Sequence, residues 1–233
     1  MKKQILEKLN EFKIEAEKSG LKVYAVALKG SQNYNLDDEE SDIDANLVFI
    51  PTLSQIRSKR SYKITKEFGE CTCHNIYEFA DIVAKGNPQW IEICHTEYII
   101  GNLSIFKDFK INPSALKGMI MEKVVAFDKL YPSREKYVKQ FGYDPKQLHH
   151  IIRLYDCLEK DVNFYKYTDE EKINMLDIKR GRFPKTKEEA FLLRDEYIIK
   201  LNNLYESRKL SYVKQEIDYD LIDEIVIKSY MNT

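Results

Sequence analysis

The sequence has no unbroken apolar stretch long enough for a membrane span or a secretory leader, and its first residues intersperse lysine and glutamate with Ile5, Leu6 and Leu9. The expectation is a cytoplasmic protein with no membrane partner. Low-complexity tracts are absent, and 8 glycines and 6 prolines among 233 residues are too few for an open, linker-like chain; order throughout is expected. Net charge is nearly absent as well. Lysine and arginine number 37 against 38 aspartates and glutamates, so no global field draws the chain to nucleic acid or an anionic surface. Any polyanion contact must come from a local patch, and the lack of a long basic stripe argues against a long nucleic-acid acceptor. The four cysteines, Cys71, Cys73, Cys94 and Cys157, do not form the pattern of a secreted disulfide framework and point to a reducing compartment. No internal repeat is present, which excludes a solenoid.

What is present divides the chain in two. Apolar Ile5, Leu6, Leu9, Phe12, Ile14 and Ala16 between charges predict an amphipathic helix over 2–18 that ends at Ser19-Gly20. Leu21 to Leu28 is rich in β-formers and bounded by glycines, and Ile43 to Ile50 is stopped by Pro51, so two strands flank an acidic loop. A third strand is expected over Cys71 to Ile76 and a helix over Tyr77 to Ala84, broken by Lys85-Gly86-Asn87-Pro88. Beyond Pro113, the segments Ser114 to Leu130, Pro145 to Tyr165, Lys187 to Ser207 and Asp218 to Tyr230 read as helices with no strand among them. The expected class is α+β, with a strand-bearing domain over 1–112 and an all-helical domain over 113–233.

The segment from Lys29 to Asp44 carries the chemistry. Gly30 permits a tight turn after the first strand, and Ser31 can cap a short helix while offering backbone N–H groups and a hydroxyl to an anion. Asp42 and Asp44 stand two apart at the start of the next strand, where the period of two puts both carboxylates on one face, able to share Mg²⁺ or Mn²⁺ with triphosphate oxygens. Taken singly, the first half also reads as an ordinary strand-to-helix turn and the second as a solvated acidic loop. Their order and spacing, each half beside a β-rich run, favour the chemical reading.

Gly30-Ser31-x-x-Tyr34 followed by Ser41-Asp42-x-Asp44 resembles the Gly-Ser and Asp-x-Asp signature of DNA polymerase beta superfamily nucleotidyltransferases. More narrowly it is similar to a bacterial and phage group of predicted nucleotidyltransferases associated with RNA-ligase-type repair proteins. Tyr77-Glu78-Phe79, the stretch from Lys85 to Glu92, and Lys146 to Leu154 also sit where that group has similar text. The resemblance implies a polymerase beta-like mixed sheet with helices, Asp42 and Asp44 as catalytic metal ligands, and Gly30, Ser31, Tyr34 and Ser41 at the nucleotide. Two positions depart from it. Asn35 replaces the glycine that usually follows the tyrosine, a change asparagine tolerates because it accepts left-handed backbone angles. Cys73 stands where the superfamily supplies a third carboxylate, with Glu70 and Glu92 as substitutes and His74 as a polar contact.

In the helical part, Lys146, His150 and Arg153 are spaced i, i+4 and i+7, forming one polar stripe suited to a triphosphate. A solvated basic face is the other reading of the same residues. The resembling group places a lysine, a histidine and an arginine similarly, which implies a helical domain that closes over the nucleotide. Lys179-Arg180-Gly181-Arg182 is a further basic cluster, also readable as a helix end. Cys71-x-Cys73-His74 with Cys94-His95 lacks the paired knuckles of a zinc site. Trp90 and most of the sixteen tyrosines read as packing residues. The expected function is transfer of a nucleoside monophosphate from an NTP to a hydroxyl on RNA, protein or a small molecule, with release of pyrophosphate. The alternative is a nucleotide- or RNA-binding protein of the same fold that has lost efficient catalysis.

Overall fold

A computed structural model describes residues 2–39, 41–58, 62–132 and 134–231, leaving Glu40 of the acidic loop outside the described residues. The chain forms two compact units, one built from 1–110 together with 214–233 and the other from 111–213.

In the first unit, helix α1 (Lys2–Lys18) leads into β1 (Lys22–Lys29), a short 3-10 turn (Ser31–Tyr34) and β2 (Asp44–Ile50). Then come α2 (Leu53–Ser58), β3 (Tyr62–Lys66), β4 (Gly69–Asn75), α3 (Ile76–Ala84), α4 (Pro88–His95) and β5 (Ile99–Gly101). The strands pair in the order β3-β4-β2-β1-β5 as one mixed sheet, parallel between β2 and β4 and antiparallel elsewhere. Helix α1 lays Ile5, Leu9, Phe12 and Ala16 against Val26, Leu28, Ala45, Leu47, Phe49, Cys71 and Cys73. Because side chains alternate along a strand, Asp44, Asn46 and Val48 of β2 and Glu70, Thr72 and His74 of β4 take the opposite face. Helices α3 and α4 pack near that face, α3 on β2 and β4 and α4 on β1.

The second unit contains α5 (Pro113–Ala126), α6 (Glu135–Phe141), α7 (Pro145–Glu159), α8 (Asp169–Lys179) and α9 (Lys187–Ser207). Ten of the fifteen α7 residues are buried, which makes it the central helix, packed by α5, α8 and α9. Asp144 and Pro145 start α7 by accepting the Lys146 N–H and supplying a fixed φ.

Residues 214–233 depart from the expected division, because α10 (Tyr219–Met231) belongs to the strand-bearing unit rather than to the helical one. Its tethers are polar and specific. The Tyr77 hydroxyl donates to Asp223 at 2.6 Å, Tyr219 donates to Asp81, and Lys22 donates to the Ser229 carbonyl. Gln215 fixes the return by exchanging hydrogen bonds with the Lys110 backbone at 2.6 and 2.8 Å. Helix periodicity in the sequence carries none of these partner choices.

At Gly69 the backbone of β4 passes so close to β2 that an added Cβ would lie 2.3 Å from the Ile43 carbonyl oxygen, at a φ of +150°. The neighbouring Ile43 N–H donates to the Phe68 carbonyl at 2.7 Å, so this contact holds the entrance of β2. Gly69→Ala is expected to lower stability by about 2–4 kcal/mol through overpacking and backbone strain, read as a fall in the urea midpoint; an unchanged midpoint would remove the contact from the account.

Candidate functional site

The turn after β1 is built by its own side chains. Gly30 adopts φ +108° and ψ −159°, while a Cβ there would meet nothing closer than 3.9 Å, so the backbone angle rather than space demands glycine. Asn35 closes the 3-10 turn in the left-handed region, at φ 61° and ψ 33°, the conformation that asparagine at the usual glycine position permits. Asn33 donates to the Leu28 carbonyl at 2.8 Å and accepts from the Thr96 hydroxyl at 2.6 Å. Gln32 reaches across the acidic loop to donate to the Asp42 carbonyl at 2.7 Å. The Gly-Ser turn and the aspartate pair are thus joined by a direct hydrogen bond inside one unit.

Around this joint the residues singled out by sequence separate into two groups. Asp42 is exposed, and its carboxylate has no ion pair or hydrogen bond among the described residues; the same holds for the hydroxyl of the half-buried Ser31. Asp44 accepts the Glu70 N–H at 3.0 Å. Tyr34, by contrast, is 5% exposed and donates its hydroxyl to Glu92, itself 3% exposed. Ser41 donates to Asp38 at 2.7 Å and accepts the Asp38 N–H. These two side chains brace the loop from within rather than presenting their hydroxyls outward.

The residues considered for a further carboxylate position lie on different faces of the sheet. Cys73 is buried against α1, on the opposite side of the sheet from Asp44, and hydrogen bonding between the Cys71 and Cys73 thiols, together with burial, pushes the Cys71 thiol far above the ordinary range. Glu92 faces inward to Tyr34. Glu70 shares Asp44's face, since Ala45 pairs with Cys71, and it carries an ion pair with Lys63 at 2.7 Å. His74, on the same face, stacks edge-on to Trp90 at 4.7 Å; burial and then the Lys29 charge depress its pKa.

Among the described residues no three His, Cys, Asp or Glu side chains converge as a ready-made metal cage. Two carboxylates at a strand mouth, one of them uncommitted, suit instead a Mg²⁺-like ion that keeps waters and completes its shell with substrate oxygens.

In the helical unit, the Lys146, His150 and Arg153 stripe is not a solvated face. Arg153 is 5% exposed and the other two are half-buried. Burial, followed by the charges of His149, Arg153, Lys146 and Lys123, holds the His150 pKa well below its ordinary value. Lys123 of α5 therefore joins Lys146 and Arg153 as a charge close to His150, a neighbour that the spacing along α7 could not reveal. The placement of Lys29 beside Asp44 and of Lys63 beside Glu70 was likewise invisible, because it comes from strand pairing and an ion pair between strands.

Compared with known proteins, the chain matches no family model, and no curated protein matches it significantly. Among the described residues no helix is long and apolar enough to cross a membrane.

Tyr34→Phe removes a hydroxyl donor from a buried carboxylate, and a loss of about 1–3 kcal/mol is expected from urea unfolding. Restoration of wild-type stability by adding Glu92→Gln would support the brace; an unaltered midpoint in Tyr34→Phe alone would contradict it.

Proposed function

We propose that the protein is a metal-dependent nucleotidyltransferase of the polymerase beta-like type, which moves a nucleoside monophosphate from an NTP to a hydroxyl acceptor and releases pyrophosphate. The observation that carries this reading is the uncommitted Asp42 carboxylate beside Asp44, hydrogen-bonded through its backbone to a Gly30-Ser31 turn whose serine hydroxyl is also uncommitted. Asp42 and Asp44 would hold Mg²⁺ or Mn²⁺, with Glu70 as the further carboxylate on their face. Bound there, the ion would neutralise charge on the phosphoryl group and lower the pKa of the attacking hydroxyl.

The chain's own work is positioning. Gly30 and Ser31 offer backbone N–H groups and a hydroxyl to the triphosphate; Gln32 keeps the turn and the acids in register; Tyr34 and Ser41 fix the loop between them. In the transfer, the acceptor oxygen bonds to the α-phosphorus as the α–β phosphoanhydride bond breaks, its electron pair leaving on pyrophosphate and the hydroxyl proton passing to solvent. Catalysis of this kind rests on orientation and fixed charge, and no protein nucleophile is needed. In the helical unit, Lys146, Arg153 and Lys123 around a neutral His150 make a phosphate-binding group of their own in this reading. The acceptor class, whether RNA, protein or a small molecule, is not specified by these groups. The four free cysteines fit a cytoplasmic address.

A second reading, nucleotide binding with little turnover, is favoured by Cys73 facing the α1 core in place of a third acid. The two share a site and differ in product formation.

Each NTP with Mg²⁺ at about one hundred times its dissociation constant is expected to raise the melting temperature by about 5–10 °C. Asp42→Asn/Asp44→Asn should lose the shift while melting near the wild-type temperature without ligand. The absence of a shift with all four nucleotides would overturn both readings; a shift without transfer of α-labelled phosphate to RNA, protein or small-molecule hydroxyls would leave the second.

A further inference from the structure

Lys29 is the last residue of β1 and pairs across the strands with Asp44, so the two side chains share a face of the sheet at its open end. Gly30 and Ser31 follow it directly. At that end the charges form a row across three strands, Lys29 on β1, Asp44 on β2 and Glu70 on β4, and Lys63 of β3, which pairs with Thr72, joins it by its ion pair to Glu70. The two lysines differ in their commitments. Lys63 is held by Glu70 at 2.7 Å, whereas Lys29, half-buried, makes no ion pair or hydrogen bond through its side chain among the described residues.

A lysine beside an aspartate commonly serves as its counter-ion, yet no ion pair joins Lys29 to Asp44. Its charge is felt instead further across the face, at His74, where burial and then the Lys29 charge lower the imidazole pKa. The Lys29 ammonium thus has no protein partner among the described residues, and a polyanion arriving with its own metal would supply one.

We propose that Lys29 is a phosphate ligand of the site, binding the triphosphate next to Ser31 and carrying charge on the pyrophosphate that departs. This inference rests on the nucleotidyltransferase reading and adds a residue that the Gly-Ser and Asp-x-Asp pattern does not contain. Lysine suits the role as a compact point charge with three donors, able to follow phosphate oxygens as the α–β bond breaks and its electron pair passes to the leaving group.

The probe is inorganic tripolyphosphate with Mg²⁺, which tests the phosphate seat without base or ribose. Lys29→Gln is expected to weaken its binding about tenfold or more, as the loss of a charge-assisted hydrogen bond, and Lys29→Arg to recover most of it. The second readout is His74, followed by NMR and assigned with His74→Gln. Tripolyphosphate should raise its pKa in the wild type by neutralising Lys29, and leave it unmoved in Lys29→Gln. If the wild type binds tripolyphosphate and Lys29→Gln binds it within twofold as tightly, the lysine is structural and the inference falls while the broader reading stands. If the wild type does not bind the probe and shows no NTP-dependent stabilisation, both fall together.

Discussion

Strands β2 and β4 run parallel with Ala45 opposite Cys71, and a slip of one residue in that pairing would exchange the two faces of β4. In the observed register the two thiols enter the apolar layer under α1, and Glu70, Thr72 and His74 take the side of Asp44. The close approach of Gly69 to Ile43 and the bond from Glu70 N–H to Asp44 pin that register at the mouth of β2. The shared face of Asp44 and Glu70 and the inward turn of Cys73 both depend on it. The hydrogen-bonded turn after β1 then brings Ser31 and Gln32 to the same place.

Much of this frame could be read from sequence because its signals are local. The apolar stripe of α1, the β-rich runs bounded by glycine and Pro51, and the break at Asn87-Pro88 each declare an element through short-range physics. Two strands escaped: Tyr62–Lys66 alternates but sits among charges, and Ile99–Gly101 is only three residues long. Helix Asp169–Lys179, opened by a Thr168–Glu171 capping box, also escaped, because its apolar residues, Ile173, Met175, Leu176 and Ile178, make a weak stripe. The return of α10 to the first unit depends on Tyr77, Asp81 and Lys22, partners far away in sequence.

The candidate site was legible in the same uneven way. Gly30 and Asn35 follow from turn chemistry and Asp44 from strand period, whereas Asp42 lies in the loop before β2, outside the strand to which the period of two applies. Tyr34 and Ser41 belong to the same text, but their hydroxyls have partners in Glu92 and Asp38, one distant and one inside the loop. Cys73 and Glu70 illustrate the limit most clearly: the resemblance puts Cys73 at the third position, whereas in the structure Cys73 faces α1 and Glu70 shares the face of Asp44. Side-chain direction is a property of register, and register is not written in any one strand.

The central claim is that Asp42 and Asp44 form half of a metal site that a triphosphate completes. The most direct measurement is titration of Mn²⁺ by electron paramagnetic resonance, with and without a nucleoside triphosphate, comparing the stoichiometry and affinity of protein-bound ion after the nucleotide's own chelation is subtracted. The account predicts weak binding of Mn²⁺ alone and tight, saturable binding of Mn²⁺ with nucleotide, as expected where two carboxylates leave most of the shell to other oxygens. Equal, weak binding of Mn²⁺ in the presence and absence of every nucleotide would contradict it.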